Sequence, residues 1–270
     1  MNINKLIKSF LLRIVKLLIS RFYKNKYLKI IYGVFSENPE IDDFARRNGV
    51  IELLYRKSMI KTDNPICNEF IETRFNRTAL VYEENVKKSG YTSRELLQFS
   101  RIVNQISLKF NRKIKVLDLG CGIGLLAKMI SLKNLELTGV DISKEMLNEC
   151  RKKNLYHHLS NNDLISFFER NSSKYDLILA CSVIPFIPPS EIENLMKTIS
   201  KRLNKGGVFI FSFDVSKERY KINHNLFGEY SVSFIGEILD KYFETYNFKF
   251  IANSRIESGK KVNGAIANCS

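Results

Sequence analysis

The chain has no tryptophan, only five prolines and only three histidines in 270 residues. Its five cysteines (Cys67, Cys121, Cys150, Cys181 and Cys269) form no Cys-x-x-Cys pair and no metal-ligand spacing. That excludes a disulfide scaffold and a zinc site, and predicts free thiols in a reducing compartment with no metal. Acid is missing from residues 1–36, where Lys5, Lys8, Arg13, Lys16, Arg21, Lys24, Lys26 and Lys29 stand uncompensated. The apolar run between those charges is too short and too charged to span a bilayer, and it lacks a small-residue cleavage site.

That N-terminal stretch has its own pattern. On a helical wheel of about 100° per residue, Lys5, Lys8, Arg13 and Lys16 share one face with Ser9 and Ser20. Ile3, Leu6, Ile7, Phe10, Leu11, Ile14, Val15, Leu17, Leu18 and Phe22 cover the other, and only Leu12 and Ile19 break the polar side. Residues 2–23 thus read as a basic amphipathic helix. Three roles compete: lying on an anionic membrane surface, docking on the protein itself or a partner, or serving as a transit sequence. Transit peptides favour Arg where this segment favours Lys. The expectation is a cytoplasmic protein, peripheral on the inner face of a membrane, with organelle targeting as the alternative.

The net charge of +15 attracts phosphates in general, but nothing resembles an RNA-binding module, so nucleic acid is disfavoured as a partner. A chain of this length with 44% hydrophobic residues supports one sizeable core and an appendage. Three regions follow: a basic helical extension (1–64), a helical segment (65–112) and an α/β core (113–270). In the middle region, two helices are expected around the break Ser89-Gly90-Tyr91-Thr92-Ser93, with Ser93 as the second N-cap.

The core opens on Val116-Leu117-Asp118-Leu119-Gly120-Cys121-Gly122-Ile123-Gly124. An apolar strand runs into three alternate glycines, and Leu125-Leu126-Ala127-Lys128-Met129-Ile130 resumes at helical spacing. A turn without Cβ atoms lets a ligand approach the backbone beside the unpaired N–H groups of a helix start. Cys121 reads as a small residue tolerated in a tight turn rather than a reactive thiol. The next strand, Leu135-Glu136-Leu137-Thr138-Gly139-Val140-Asp141, brings its terminal carboxylate beside the glycine turn, where it can accept ribose hydroxyls. Asn161-Asn162-Asp163-Leu164 is placed to read an adenine edge. Strand 175–180, helix 191–203, the turn Asn204-Lys205-Gly206-Gly207 and strand 208–213 continue the alternation, which argues for a parallel sheet covered on both faces.

This half of the chain resembles the class I S-adenosylmethionine-dependent methyltransferases. The resemblance rests on the spacing of the glycine turn, Asp141, Asp163, Tyr175-Asp176 and Lys205-Gly206-Gly207, with a hairpin around Glu257-Ser258-Gly259-Lys260 closing the sheet. It implies a Rossmann-like, mostly parallel seven-stranded sheet with a C-terminal antiparallel hairpin. It also implies S-adenosylmethionine held by Tyr91, Asp118, Gly120, Cys121, Gly122, Gly124, Asp141, Ile142, Asp163, Leu164 and Cys181. Phe75-Asn76-Arg77-Thr78-Ala79 and Gly90-Tyr91 are similar, more narrowly, to methyltransferases found behind tetratricopeptide repeats, such as the Williams–Beuren-region methyltransferase. In that group both stretches cover the cofactor. Asn76, Thr78, Thr92 and Val232 stand where the group has Asp, Tyr, Arg and His, and no 34-residue repeat precedes Asp63.

A dinucleotide dehydrogenase is the competing use of Gly122-Ile123-Gly124-Leu125-Leu126-Ala127. It is disfavoured because no tyrosine is followed by lysine four positions on. The base-amine tetrapeptide Asn/Asp-Pro-Pro-aromatic is missing where Cys181-Ser182-Val183-Ile184-Pro185 stands. The expected activity is methyl transfer to an oxygen or nitrogen of a small-molecule or lipid- or glycan-linked acceptor. The acceptor is expected over the ends of the fourth and fifth strands, near Cys181, Ser182, Ile184, Phe186, Asp214 and Tyr220. His224 and Tyr220 are the candidate catalytic residues. Phe186, Ile187, Pro188 and Pro189 read as a helix start rather than a substrate wall. A non-catalytic cofactor-binding partner or assembly factor is the alternative.

Overall fold

The computed structural model describes residues 68–130, 134–223, 227–257 and 260–270. The basic segment 2–23, Cys67 and His224 lie outside them.

Helix α1 (Asn68–Thr78), a 3-10 turn (Ala79–Val81) and α2 (Tyr82–Lys88) lead to a π-helical turn (Thr92–Leu96) that continues as α3 (Leu97–Ser107). The core follows as β1 (Ile114–Leu119), α4 (Leu125–Met129), β2 (Leu135–Asp141), α5 (Lys144–Arg151), β3 (His158–Asn161), α6 (Leu164–Arg170) and β4 (Tyr175–Ala180). It ends with α7 (Pro189–Arg202), β5 (Leu203–Val215), β6 (Tyr220–Ile222), β7 (Gly228–Tyr230), α8 (Val232–Leu239), β8 (Tyr246–Glu257) and β9 (Lys260–Cys269).

The strands form one sheet. β3, β2, β1, β4 and β5 run parallel in that order, and β9 joins β5 antiparallel with β8 outside it. These seven match the expected sheet. The short strands β6 and β7 add to the carboxyl end of β5 and bring the total to nine among the described residues. β5 is longer than expected because it runs back through the glycine turn to Leu203, with a register break opposite Tyr175 and Leu177.

Period-two alternation divides the sheet between two cores. Phe209, Phe211 and Phe213 face α6, α7 and α8 through Phe167, Met196, Ile199 and Ile235. Ile210, Leu177, Leu179 and Val116 face α3 and α4 through Leu96, Phe99, Val103 and Leu126. Each such buried side chain contributes about 1.5–3 kcal/mol by leaving water. β4 is buried at every position, which explains an apolar run without alternation at the centre of a covered sheet.

Three helix starts are fixed by side chains. Ser143 accepts from Met146 N–H, Asp163 from Ser166 N–H and Ser231 from Phe234 N–H. Ser93 does not cap α3. Its hydroxyl donates back to the Gly90 carbonyl at 3.1 Å, and the chain enters α3 through the π turn, where Glu95 and Leu96 are buried.

Candidate functional site at the carboxyl edge of the sheet

Gly120, Gly122 and Gly124 have φ of +64°, +53° and +80°, a region closed to most L side chains. The turn they form is fastened to β2. Cys121 N–H donates to the Val140 carbonyl at 3.0 Å and Gly122 N–H to Asp141 Oδ2 at 2.8 Å. Asp141 Oδ1 accepts from Ser143 N–H at 2.8 Å. A Cβ added at Gly122 would meet nothing within 4 Å, so this turn borders open space that a ligand could use.

That space is a cavity of 380 Å³, within the roughly 300–1,000 Å³ usual for small-molecule sites. Of the expected cofactor residues, Gly120, Gly122, Asp141, Ile142, Asp163, Leu164 and Cys181 line it. Tyr91, Asp118 and Cys121 line a 40 Å³ recess that also touches Gly120, Gly122 and Cys181. Gly124 lines neither; it precedes α4 and packs against Cys150 and Tyr156. Asp163 is also committed to α6, bonding both Ser166 N–H and Ser166 Oγ.

Two buried carboxylates give the site its electrostatic character. Burial pushes Asp141 up to about 6, against the pull of the Ser143 and Gly122 N–H groups. Burial also raises Asp118 to about 7, with the Tyr156 hydroxyl opposing at 2.6 Å and Asp141 adding to the rise. A cationic ligand with hydroxyls to donate fits such a site. S-adenosylmethionine is of that kind, with a positive sulfonium and a ribose diol. The open face of Gly122 and the Asp141 carboxylate would hold it. Bound there, it supplies an electrophilic methyl group.

The helical segment, expected to cover the cofactor through Phe75–Ala79 and Gly90-Tyr91, borders the cavity with further residues as well. Asn68, Ile71, Phe75 and Tyr82 line the same cavity. Asn76 Oδ1 ties α1 to the far side by accepting from Ser143 Oγ at 2.8 Å and Glu145 N–H at 3.2 Å. Phe75 in the Phe-Asn-Arg-Thr-Ala stretch was the available signal. Phe186, Ile187 and Pro188 also line the cavity, so they are more than a helix start. Phe186 stands edge-on to Phe75 at 5.1 Å and to Phe227 at 4.8 Å, which makes it a wall between helical segment and core.

On the acceptor side the outcome differs from expectation. Tyr220 is 48% exposed on the short strand β6, against Phe234, and lines neither the cavity nor its recess. Asp214 is buried and held by Arg255. Ile184 is fully buried. His157 Nδ1 accepts from Leu137 N–H at 3.1 Å, a structural role.

The described cysteines, Cys121, Cys150, Cys181 and Cys269, are all free. Cys121 is buried, and the adjoining Cys150 thiol together with burial raises its pKa, so it is not an activated nucleophile. Among the described residues no His, Cys, Asp and Glu cluster could hold a metal, and no helix is long and apolar enough to cross a membrane.

Comparison with known proteins agrees with this geometry. Residues 117–209 match a family described as a methyltransferase domain. A carboxy-S-adenosyl-L-methionine synthase of Alteromonas mediterranea is 34% identical over 172 residues, 59% of this chain and 65% of that protein. One from Campylobacter lari is 32% identical over 138 residues, 48% of this chain and 57% of that protein. A malonyl-[acyl-carrier protein] O-methyltransferase of Priestia megaterium is 26% identical over 152 residues, 54% of this chain and 52% of that one. The chain spans less than two thirds of each of these relatives. They do not support the narrower likeness to the Williams–Beuren-region group.

In fold, the magnesium protoporphyrin IX methyltransferase of Synechocystis PCC 6803 with bound S-adenosylhomocysteine superposes with a TM-score of 0.55. It is 16% identical, over 79% of this chain and 98% of that one. The plantazolicin methyltransferase superposes with a TM-score of 0.53 at 14% identity, over 73% and 93%. Residues 117–209 thus match a methyltransferase domain, and the chain has the Rossmann-like fold of these methyltransferase structures.

Proposed function

We propose that the protein uses S-adenosylmethionine to methylate an oxygen or nitrogen of a small-molecule or lipid- or glycan-linked acceptor. The observation that carries this reading is the junction of two cavities. The 380 Å³ cavity at the glycine turn shares Phe75, Tyr82, Ser182 and Phe186 with a second chamber of 230 Å³. A cofactor on one side and an acceptor on the other would meet across those four residues. Little chemistry is asked of the protein beyond alignment, which can supply on the order of 7–11 kcal/mol of a barrier. Phe75 and Phe186 can hold the two partners in line and exclude water. The test is incubation with methyl-labelled cofactor and fractionated extract of the source, with label appearing in an acceptor and S-adenosylhomocysteine released.

A second reading draws on the names of the curated relatives, which are carboxy-S-adenosyl-L-methionine synthases at up to 34% identity. Under it the product is a carboxylated cofactor and no acceptor is methylated. Mass spectrometry of the reaction products separates the two. A third, a cofactor-binding partner without transfer, predicts cofactor affinity with neither product. We further propose that residues 2–23 hold the protein to an anionic membrane surface on its cytoplasmic side.

A further inference from the structure

Glu95 is only 2% exposed, in a π-helical turn of the kind that recurs at functional sites. Its Oε1 accepts two hydroxyl hydrogen bonds, from Ser182 Oγ at 2.6 Å and Ser212 Oγ at 2.8 Å. Its Oε2 makes no hydrogen bond and faces Arg255 Nη1 at 3.5 Å. Asp214 already gives Arg255 a bidentate partner at 2.7 and 2.5 Å. The ion pair therefore does not account for a second buried carboxylate wired to a serine.

Ser182 is unusual as well. It has φ of +57°, where glycine would be relaxed and an L side chain is strained. The strain sits where a hydroxyl is presented, because Ser182 lines both the cofactor cavity and the adjoining chamber. Its own N–H is pinned by Ser212 Oγ at 2.7 Å.

The other hydroxyl and thiol groups near this junction keep their protons. Burial pushes Tyr82 up to about 12 and raises Tyr91 and the Cys181 thiol well above their ordinary values. The titratable and charged groups facing Glu95 are Arg255 from the sheet, itself paired with Asp214, Cys181 beyond β4 and Tyr91 from its own segment. Phe186, Phe227, Tyr82 and Tyr91 give the 230 Å³ chamber flat aromatic walls. It is smaller than the roughly 300–1,000 Å³ of drug-sized sites and suits one substituted ring.

We propose that Ser182 and Glu95 form a proton relay, and that the acceptor is a small phenol or comparably flat hydroxyl compound bound in this chamber. The proposal rests on the methyl-transfer reading above and gives it a substrate class. A carboxylate acceptor needs no base, whereas a hydroxyl does. The acceptor O–H gives its proton to Ser182 Oγ while Ser182 passes its own to Glu95, which becomes neutral. The acceptor oxygen forms the new bond to the methyl carbon as the carbon–sulfur bond breaks, its electron pair staying on sulfur. The proton returns to solvent through Ser182 after product leaves. Ser182 is the catalytic residue, and Glu95 the positioning residue that receives its proton.

The test uses the full chain with two readouts. In calorimetry with S-adenosylhomocysteine present, the wild type should bind para-cresol about tenfold more tightly than its methyl ether. Ser182→Ala should lose that preference, as should Ser182→Gly, which suits the backbone angle. In turnover over substituted phenols of graded acidity, wild-type rates should vary little. Glu95→Gln should keep its cofactor affinity and lose about a hundredfold or more on weakly acidic phenols. It should approach wild type on para-nitrophenol at a pH where that phenol is ionised. Glu95→Gln rates that parallel wild type across the series, or transfer confined to carboxylic acids or amines, overturn the relay and leave methyl transfer standing. Cofactor binding with no transfer to any phenol or extract fraction overturns both.

Discussion

Asp141 Oδ2 receives the Gly122 N–H at 2.8 Å while Oδ1 receives Ser143 N–H at the same distance, so one carboxylate clamps the glycine turn to the end of β2. The group expected to hold the ribose thus also shapes the floor beneath it. Asp141→Ala removes both effects. A hydrogen bond to a charged group contributes about 1.5–3 kcal/mol, so S-adenosylhomocysteine should bind roughly ten- to a hundredfold more weakly. Calorimetry checks this, and unchanged affinity would move the ribose contact elsewhere.

The same carboxylate makes binding depend on pH. Asp141 is raised to about 6 and Asp118 to about 7, both by burial first, against about 3.9 in an unfolded chain. A raised acid favours the folded protein when protonated. Its contribution is therefore full below pH ~4 and lost as pH rises through about 6 to 7. Ribose hydroxyls donate to the ionised form, so binding opposes protonation. Affinity for S-adenosylhomocysteine should rise by up to about tenfold between pH ~5 and ~7 and level off above that. Asp141→Asn should flatten that slope in the same titration, while the melting temperature of the cofactor-free wild type should fall over this range relative to Asp141→Asn.

Two glycines of the turn should fail in different ways. A Cβ at Gly120 would lie 2.6 Å from Val183 Cγ2, whereas at Gly122 it would meet open space. Both positions have positive φ, which costs an L residue about 1–2 kcal/mol. Gly122→Val should lower the melting point modestly and abolish measurable cofactor binding. Gly120→Ala should be the less stable of the two in thermal denaturation, since overlap adds to strain.

The glycine turn, its Asp141 clamp and the parallel sheet behind them were legible because their signals are local. Strand periodicity, three alternate glycines and a terminal Asp fall in one short stretch of chain, and the described sheet follows from them. The contact between Glu95 and Ser182 was not. They lie 87 positions apart, and neither has a neighbour in sequence that marks it. Ser93 looked like an N-cap because Ser is a good one. The π turn displaced the helix start and turned Glu95 inward, a tertiary outcome that propensity does not carry. Tyr220 follows β5 closely in sequence, but β6 pairs with β7 and carries it to the surface.

The link between helical segment and core is a third place to probe. Asn76 bonds Ser143 Oγ and Glu145 N–H, and Phe75 beside it lines the cofactor cavity. Asn76→Ala loses two hydrogen bonds of about 0.5–1.5 kcal/mol each. Cofactor affinity should fall several-fold, with proteolytic cleavage between residues 68 and 96 becoming faster. Affinity and cleavage both unchanged would mean that α1 is held by its aromatic contacts alone.

The basic segment can be separated from all of this chemistry. On the helical wheel expected from the sequence, residues 2–23 would carry cations on one face and large apolar side chains on the other, with no acid between residues 1 and 36. Anionic lipid attracts such a segment by about 1 kcal/mol per nearby Lys or Arg, and burial of the apolar face adds to that. The full chain should sediment with vesicles containing phosphatidylserine and be released by high salt, because screening shortens the reach of the charges to about 3 Å at 1 M. A truncated protein starting near Asp63 should stay in the supernatant and bind cofactor as the full chain does. If the apolar face instead packs on the protein's own core, the truncated protein should melt at a lower temperature and the full chain should ignore the vesicles. That pair of results would overturn membrane attachment while leaving the cofactor site as it stands.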